Sequence, residues 1–137
     1  MVKLRLRRRG RKFHAFYDIV AIDSRARRDG AYIERLGFYN PNDEVSKILV
    51  DHNRAIYWLS TGAQPSAIVN SLLSVDGVML RKHLTLKGKP EAEIEEMVVK
   101  HKEHAAQRYV KNKEAKRARQ VAKAKAEAEA KAAAANA

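Results

Sequence analysis

Val2, Leu4 and Leu6 alternate with Lys3, Arg5 and Arg7 at the start of the chain. Side chains along a strand point to opposite faces in turn. This order is therefore that of a strand with an apolar face against a core and a cationic face turned away from it. Arg8, Arg9, Arg11 and Lys12 follow, and no acidic residue occurs before Asp18. Cations this closely spaced repel one another, and a fold that gathers them calls for a polyanion beside it. Organelle presequences are also Arg-rich and acid-poor, but their amphipathicity is helical rather than alternating.

The 137-residue chain has a formal net charge of +12, and the excess sits at its two ends. Residues 1–35 carry 11 basic and 4 acidic side chains, residues 111–137 carry 8 and 3, and the middle is balanced. The first basic region is interleaved with apolar and aromatic residues, whereas the second is largely alanine. Absence of cysteine rules out disulfides, thiolate metal sites and cysteine nucleophiles. No apolar run approaches the roughly 20 residues that span a bilayer, and no apolar segment follows the basic start, so neither membrane insertion nor secretion is expected.

Further elements follow from local pattern. Phe16 to Ile22 is a β-branched and aromatic run that predicts a second strand, with Gly10 in the loop before it. Asp23-Ser24-Arg25 opens a polar loop, and Asp29-Gly30 is a turn. A third strand is expected over Tyr32 to Tyr39, with a bulge at Gly37, closed by Asn40-Pro41-Asn42-Asp43. Lys47 to Val50 adds a short fourth. Asp51 is placed to cap a helix carrying Ala55, Ile56 and Leu59 on one face, with Gly62 just past its end. Pro65 suits the first turn of a second helix with the apolar face Ile68, Val69, Leu72 and Leu73, ended by Asp76-Gly77. Residues 78–86 fit a short strand or a helical turn equally well. After Pro90, a helix with acids in its first turn presents Ile94, Met97, Val98 and Ala105 as a narrow stripe suited to docking. Past Lys111 the stripe is lost, and an Ala/Lys/Glu tract with nothing large to bury is expected to fray or stay disordered when alone.

Three strings now stand in order: MVKLRLRRRGRKFHAFYDIVAIDSRARRDG, YIERLGFYNP and YWLSTGAQPS. Together they resemble the family of bacterial small-subunit ribosomal protein sixteen over residues 1 to about 80, and residues beyond about 88 look like a lineage-specific extension. The resemblance implies a compact α+β domain that binds ribosomal RNA in the 5′ domain of the small subunit, helps it assemble and remains as a structural component acting in translation. The expected architecture is a small mixed or antiparallel sheet of about four strands packed with two or three helices, plus a helical-to-disordered C-terminal extension. The expected division is 1–86 for the RNA-binding core, 87–110 for an amphipathic helical extension and 111–137 for a basic tail. The sequence departs from the family's pattern at His14 and Ala15, where a basic residue and proline are usual, and at Ala31, where a basic residue is frequent.

The chemistry expected of such a chain is phosphate neutralisation and shape recognition, because A-form RNA hides its base edges. Arginine serves this better than lysine, since its planar fork takes two phosphate oxygens and stacks on bases. Candidate contacts are Arg5, Arg7, Arg8, Arg9, Arg11 and Lys12 on the first strand and its loop, and Arg25, Arg27 and Arg28 on the second loop. Tyr39 and Asn40 join them by stacking or hydrogen bonding. Arg35, beside Glu34, is as much an internal ion-pair partner as a contact, and Arg54 an equal candidate to pair with Asp51. Phe16, Tyr17, Phe38, Tyr57 and Trp58 are expected in the core.

Partners are expected to be small-subunit ribosomal RNA and neighbouring ribosomal proteins, in the cytoplasmic small subunit, with no membrane, no small-molecule substrate and no cofactor. Asp18, Asp23 and Asp29 could in principle hold a divalent metal for a nuclease, but turn and ion-pair roles account for them, so no catalytic site is expected. His101 and His104 lack a third ligand, and no metal site is expected. The rival reading is a free-standing, non-specific RNA or DNA chaperone with a polycationic tail.

Overall fold

A computed structural model describes the backbone of residues 1–43 and 46–135, and the side chains as far as residue 124. Its elements are β1 (Val2–Arg11), β2 (His14–Asp23), β3 (Glu34–Asn40), β4 (Lys47–Val50), α1 (His52–Ser60), β5 (Gln64–Pro65), α2 (Ala67–Asp76), α3 (Val78–Leu86) and α4 (Glu91–Ala135). The fold is α+β, with one mixed sheet in the order β4-β3-β2-β1-β5. Its pairings are antiparallel except that of β1 with β5, which is parallel and joins Leu4 to Pro65. The fifth strand is only two residues long, which is why local pattern did not announce it.

Alternation sorts the sheet into two faces. Val2, Leu4 and Leu6 pack with Ile19, Ala21 and Leu36 against Ala55, Val69, Leu73 and Val78 of the helices. Each side chain fully buried in this way stabilises the fold by roughly 1.5–3 kcal/mol. Yet β2 is buried without a break from Asp18 to Ala21 and on through Ile22. Val20 and Ile22 point to the face away from the helices, so the middle strand of the sheet is covered on both sides. The bulge lies beside Gly37: Ile19 faces Gly37 and Val20 faces Arg35, leaving Leu36 as the extra residue. A Cβ on Gly37 would run into the Leu49 carbonyl oxygen and stand 2.8 Å from the Val50 Cα, so glycine admits β4 at that point.

The helices are set by their caps. Asp51 accepts from the Asn53 and Arg54 amides at 3.0 and 3.1 Å, and Gly77, with φ of 87°, ends α2 in the left-handed region. Two expectations change. Pro65 belongs to β5 rather than to α2, which starts two residues later, because the Ser66 amide bonds the Leu4 carbonyl at 2.9 Å and proline, lacking a donor, fits the strand edge before it. Ile68, expected on the apolar face of α2, is 63% exposed, and Val69 and Leu73 fill that role. Residues 78–86, ambiguous in sequence, are helical.

Contacts divide the chain into Met1–Glu103 and His104–Ala137. Within the first unit, Ile94 and Val98 of α4 pack on Leu84 and Leu80 of α3, so these two residues of the stripe predicted to dock find their seat in the same chain, while Met97 of that stripe stays exposed. The last residue of α2 fastens it: Asp76 accepts from His52 Nε2 at 2.8 Å and from Lys102 Nζ at 2.9 Å. Burial pushes the Asp76 carboxyl up, but the bonds from His52 and Lys102 outweigh it and hold the group below the usual carboxylate range. Within the second unit, α4 continues as helix to Ala135. Alanine, lysine and glutamate are strong helix formers, which accounts for helix in a tract without a stripe. The last two residues of the expected tail lie outside the described residues.

Candidate nucleic-acid interface

Lys3, Arg5, Arg7 and Arg9 lie on the face of β1 away from the helices, as the alternation requires, but this is not a row of freely solvated charges. Arg9 Nε donates to Asp18 Oδ2 at 3.0 Å, and Arg35 Nε forms an ion pair with Asp18 Oδ1 at 3.0 Å. The guanidinium of Arg7 lies over the Tyr32 ring at 5.0 Å, and its Nη2 donates to the Asp29 carbonyl at 3.4 Å. Long basic side chains here lay their stems over a buried strand while their heads stay at the surface. Arg35 therefore pairs with Asp18 and not with its neighbour Glu34, because successive strand residues face opposite ways.

Glu34 points to the helix side instead. It accepts both Arg54 Nε and Nη2 at 2.7 Å and Trp58 Nε1 at 2.7 Å. Arg54 and then Trp58 bring its carboxyl down to about 2. Arg54 is thus committed to Glu34 rather than to Asp51, whose oxygen caps α1. The same guanidinium sits 4.6 Å from the centre of the Tyr57 ring, which is exposed and not in the core. Of the five aromatics expected inside, Trp58 packs against the core and Phe16 is exposed.

The exposed cations gather at the β1–β2 turn and the loop after β2. Arg8, Arg11, Lys12, Arg25 and Arg27 are exposed and make no ion pair among the described residues. Asp23 shapes the start of the loop by accepting the Arg25 amide at 2.8 Å, a bond that lowers its carboxyl. Arg28 pairs with Asp29 at 3.0 Å; hydrogen bonding to Arg28 lowers the Asp29 carboxyl, and Arg28 is raised in return. Tyr39 stacks on Tyr17, its cross-strand partner, with ring centroids 6.2 Å apart. Asn40 Oδ1 accepts from the Asn42 amide at 3.1 Å and so organises the turn after β3.

One residue escaped the sequence reading. Phe13 stands in the two-residue turn between β1 and β2, 85% exposed, with φ of 68° and the Lys12 ammonium 5.3 Å from its ring centre. A non-glycine residue in this region carries backbone strain of order 1 kcal/mol or more. An aromatic ring paired with a cation at the tip of a basic hairpin is equipped to stack on a base. The available signal was a bulky aromatic between Lys12 and His14, three residues after a glycine, in a segment too short to bury it.

The acids do not assemble. Among the described residues, no group of three or more His, Asp or Glu is placed to hold a metal ion. Asp18 is paired with two arginines, Asp23 holds a turn and the Asp29 carboxylate is on Arg28. His101 turns its Nδ1 toward Gly77, and His104 is exposed. No helix among the described residues is long and apolar enough to cross a membrane.

Comparison with known proteins agrees with this arrangement. The model of the family described as ribosomal protein S16 matches residues 8–66, which run from the basic hairpin to the start of α2. The small ribosomal subunit protein bS16 of Azobacteroides pseudotrichonymphae is 54% identical over 82 residues, 60% of this chain and 50% of that protein. That of Porphyromonas gingivalis is 52% identical over the same length, 43% of that protein, so the chain matches about half of these relatives or less. The bS16 of Pelodictyon phaeoclathratiforme is 44% identical over 123 residues, 90% of each chain. That match reaches well past residue 88, so the C-terminal extension has a counterpart in this relative and is not peculiar to one chain. With a basic hairpin, the expected sheet and a relative matched across nine-tenths of both chains, this protein belongs to the ribosomal protein S16 family.

Proposed function

We propose that the protein is a non-catalytic structural constituent of the small ribosomal subunit, which binds the 5′ domain of its ribosomal RNA, supports assembly and acts in translation in the cytoplasm. The observation that carries this reading is the set of cations with no ion-pair partner among the described residues, Arg8, Arg11, Lys12, Arg25 and Arg27, all presented within the family-matched segment. They offer phosphate contacts from backbone that is already ordered, so little entropy is lost on binding. Residues 1–86 form the RNA-binding core in this reading. Residues 90–110 dock on a neighbouring protein or RNA, with Met97 and Val99 exposed beside the Ile94 and Val98 contacts to α3, and the basic tail of 111–137 lies along the RNA backbone.

Sucrose-gradient fractionation of a cell extract, with mass spectrometry of each fraction, is the test. Co-sedimentation with small subunits through a stringent salt wash is expected. Release by salt, with equal recovery on unrelated RNA and DNA, would favour a free-standing chaperone instead. For the residues, Arg8→Ala, Arg11→Ala and Lys12→Ala together spare the partners of Asp18. Removing each phosphate-binding side chain should lower the slope of log affinity against log salt by about one.

A further inference from the structure

A cleft of about 660 Å³ opens between the helix-side face of the sheet and the start of α2. Leu6, Tyr17 and Tyr39 form its apolar floor, Ile68 its wall, and Arg8 and Arg28 its cationic rim. No carboxylate is among the described residues that line it. We propose that this cleft receives a single unpaired nucleotide of the bound RNA, with its base against Tyr17 and Tyr39 and its phosphates between Arg8 and Arg28. The inference rests on the RNA-binding reading above and assigns it a specific subsite.

Three observations converge on that ligand. The two tyrosines are directly paired across β2 and β3, and their rings form an offset stack, 26° from parallel, which a base extends. Ile68 leaves an apolar side chain 63% exposed at the mouth, although α2 has Val69 and Leu73 for the core. A flat ring with phosphates a few bonds away satisfies an apolar floor and a cationic rim together. The volume lies within the roughly 300–1,000 Å³ of small-molecule sites, too little for a duplex. A paired base also keeps both faces within its own stack, so the occupant must be unpaired. The ion pair between Arg28 and Asp29 is exposed on both sides and yields to a phosphate at small cost.

The test uses the full chain and a transcript of the small-subunit 5′ domain. Chemical probing of bases and hydroxyl-radical footprinting of the backbone are read side by side, with wild type, the Tyr17→Leu/Tyr39→Leu pair and Ile68→Glu. Wild type should protect one unpaired base, and ultraviolet cross-linking should leave a nucleotide adduct on the peptide holding Tyr17 or Tyr39. The tyrosine pair should lose that protection and bind roughly 5- to 150-fold more weakly, the range for one stacked base, while retaining the backbone footprint. Ile68→Glu changes an exposed residue and puts a carboxylate at the rim, so it should give the same loss if the tyrosine pair fails to fold. Undiminished affinity and unchanged base protection in a folded variant would overturn the cleft and leave RNA binding standing. No backbone footprint from the wild type would overturn the RNA reading itself.

Discussion

Asp18→Asn removes the charge on which two arginines of the outer face converge. The carboxylate is 2% exposed, and each of its oxygens takes one guanidinium Nε at 3.0 Å. Hydrogen bonds to charged groups contribute about 1.5–3 kcal/mol each. Both arginine side chains are 49% exposed, so solvent screening brings the Arg9 hydrogen bond and the Arg35 ion pair toward or below the low end, about 1 kcal/mol each. Asparagine keeps one acceptor and turns its amide donor toward the other guanidinium, which leaves a buried donor unmet at a further cost of roughly 1–3 kcal/mol. The sum is about 3 kcal/mol, a fall in melting midpoint of roughly 10–25 °C for a domain of this size. Urea denaturation followed through the emission of Trp58, the only tryptophan, measures it. The same substitution releases Arg9 to solvent. Its salt slope for RNA should therefore hold or steepen, whereas Arg8→Ala should make it shallower. A loss below about 0.5 kcal/mol, within the range of an ordinary surface change, or a slope that falls as it does for Arg8→Ala, would refute the claim that Asp18 organises this face.

Two further outcomes follow from carboxylates on the helix side. Glu34 has its pKa depressed to about 2 by Arg54 and Trp58, so its contribution is present above the unfolded value near 4.3 and disappears as pH falls through about 2. Stability measured between pH 5 and pH 2 should decline in wild type, and Glu34→Gln should flatten that part of the curve; an identical pH profile in the variant would count against the bond network. Asp76→Ala removes the acceptor shared by His52 and Lys102 and should cost about 2 kcal/mol, with the bond to the less exposed His52 contributing more. Amide exchange around Ile94 and Val98 should accelerate with it. Unchanged protection there would mean that Leu80 and Leu84 alone hold the start of α4.

The sequence disclosed what local physics controls. Period-2 alternation placed Val2, Leu4 and Leu6 inward, and Asp51 and Asp23 took the cap and turn roles that short acidic side chains favour, while Asp29 sits in its turn with its carboxylate on Arg28. What it concealed depends on pairing across the chain. Arg35 and Glu34 are neighbours in sequence but face opposite sides of β3, so each finds its partner on another element: Asp18 on β2 and Arg54 on α1. The unbroken apolar run at Ile19 to Ile22 was a usable sign of a strand covered on both faces. It would have shown that the cations opposite the core are partly buried. The two residues of β5 and the exposure of Ile68 depend on where α2 begins, and Pro65 signals a helix start or a strand edge equally well.

The arginines that drew attention as one cluster therefore divide by what holds them. Arg7, Arg9, Arg35 and Arg54 have partners inside the chain, and their removal should appear mainly as lost stability. Arg8, Arg11, Lys12, Arg25 and Arg27 have no ion-pair partner among the described residues, and their removal should appear mainly as a shallower salt dependence of RNA binding. The held group also positions the free one: β2 sets Asp18 opposite Arg7, Arg9 reaches it diagonally from two residues on, and this register fixes the hairpin whose tip presents Arg11, Lys12 and Phe13. A polycation bound only by net charge has no use for such an arrangement, since any placement of the same charges attracts RNA equally. A protein that recognises one folded RNA needs its cations at fixed spacings, and anchoring some arginines to position the others meets that need.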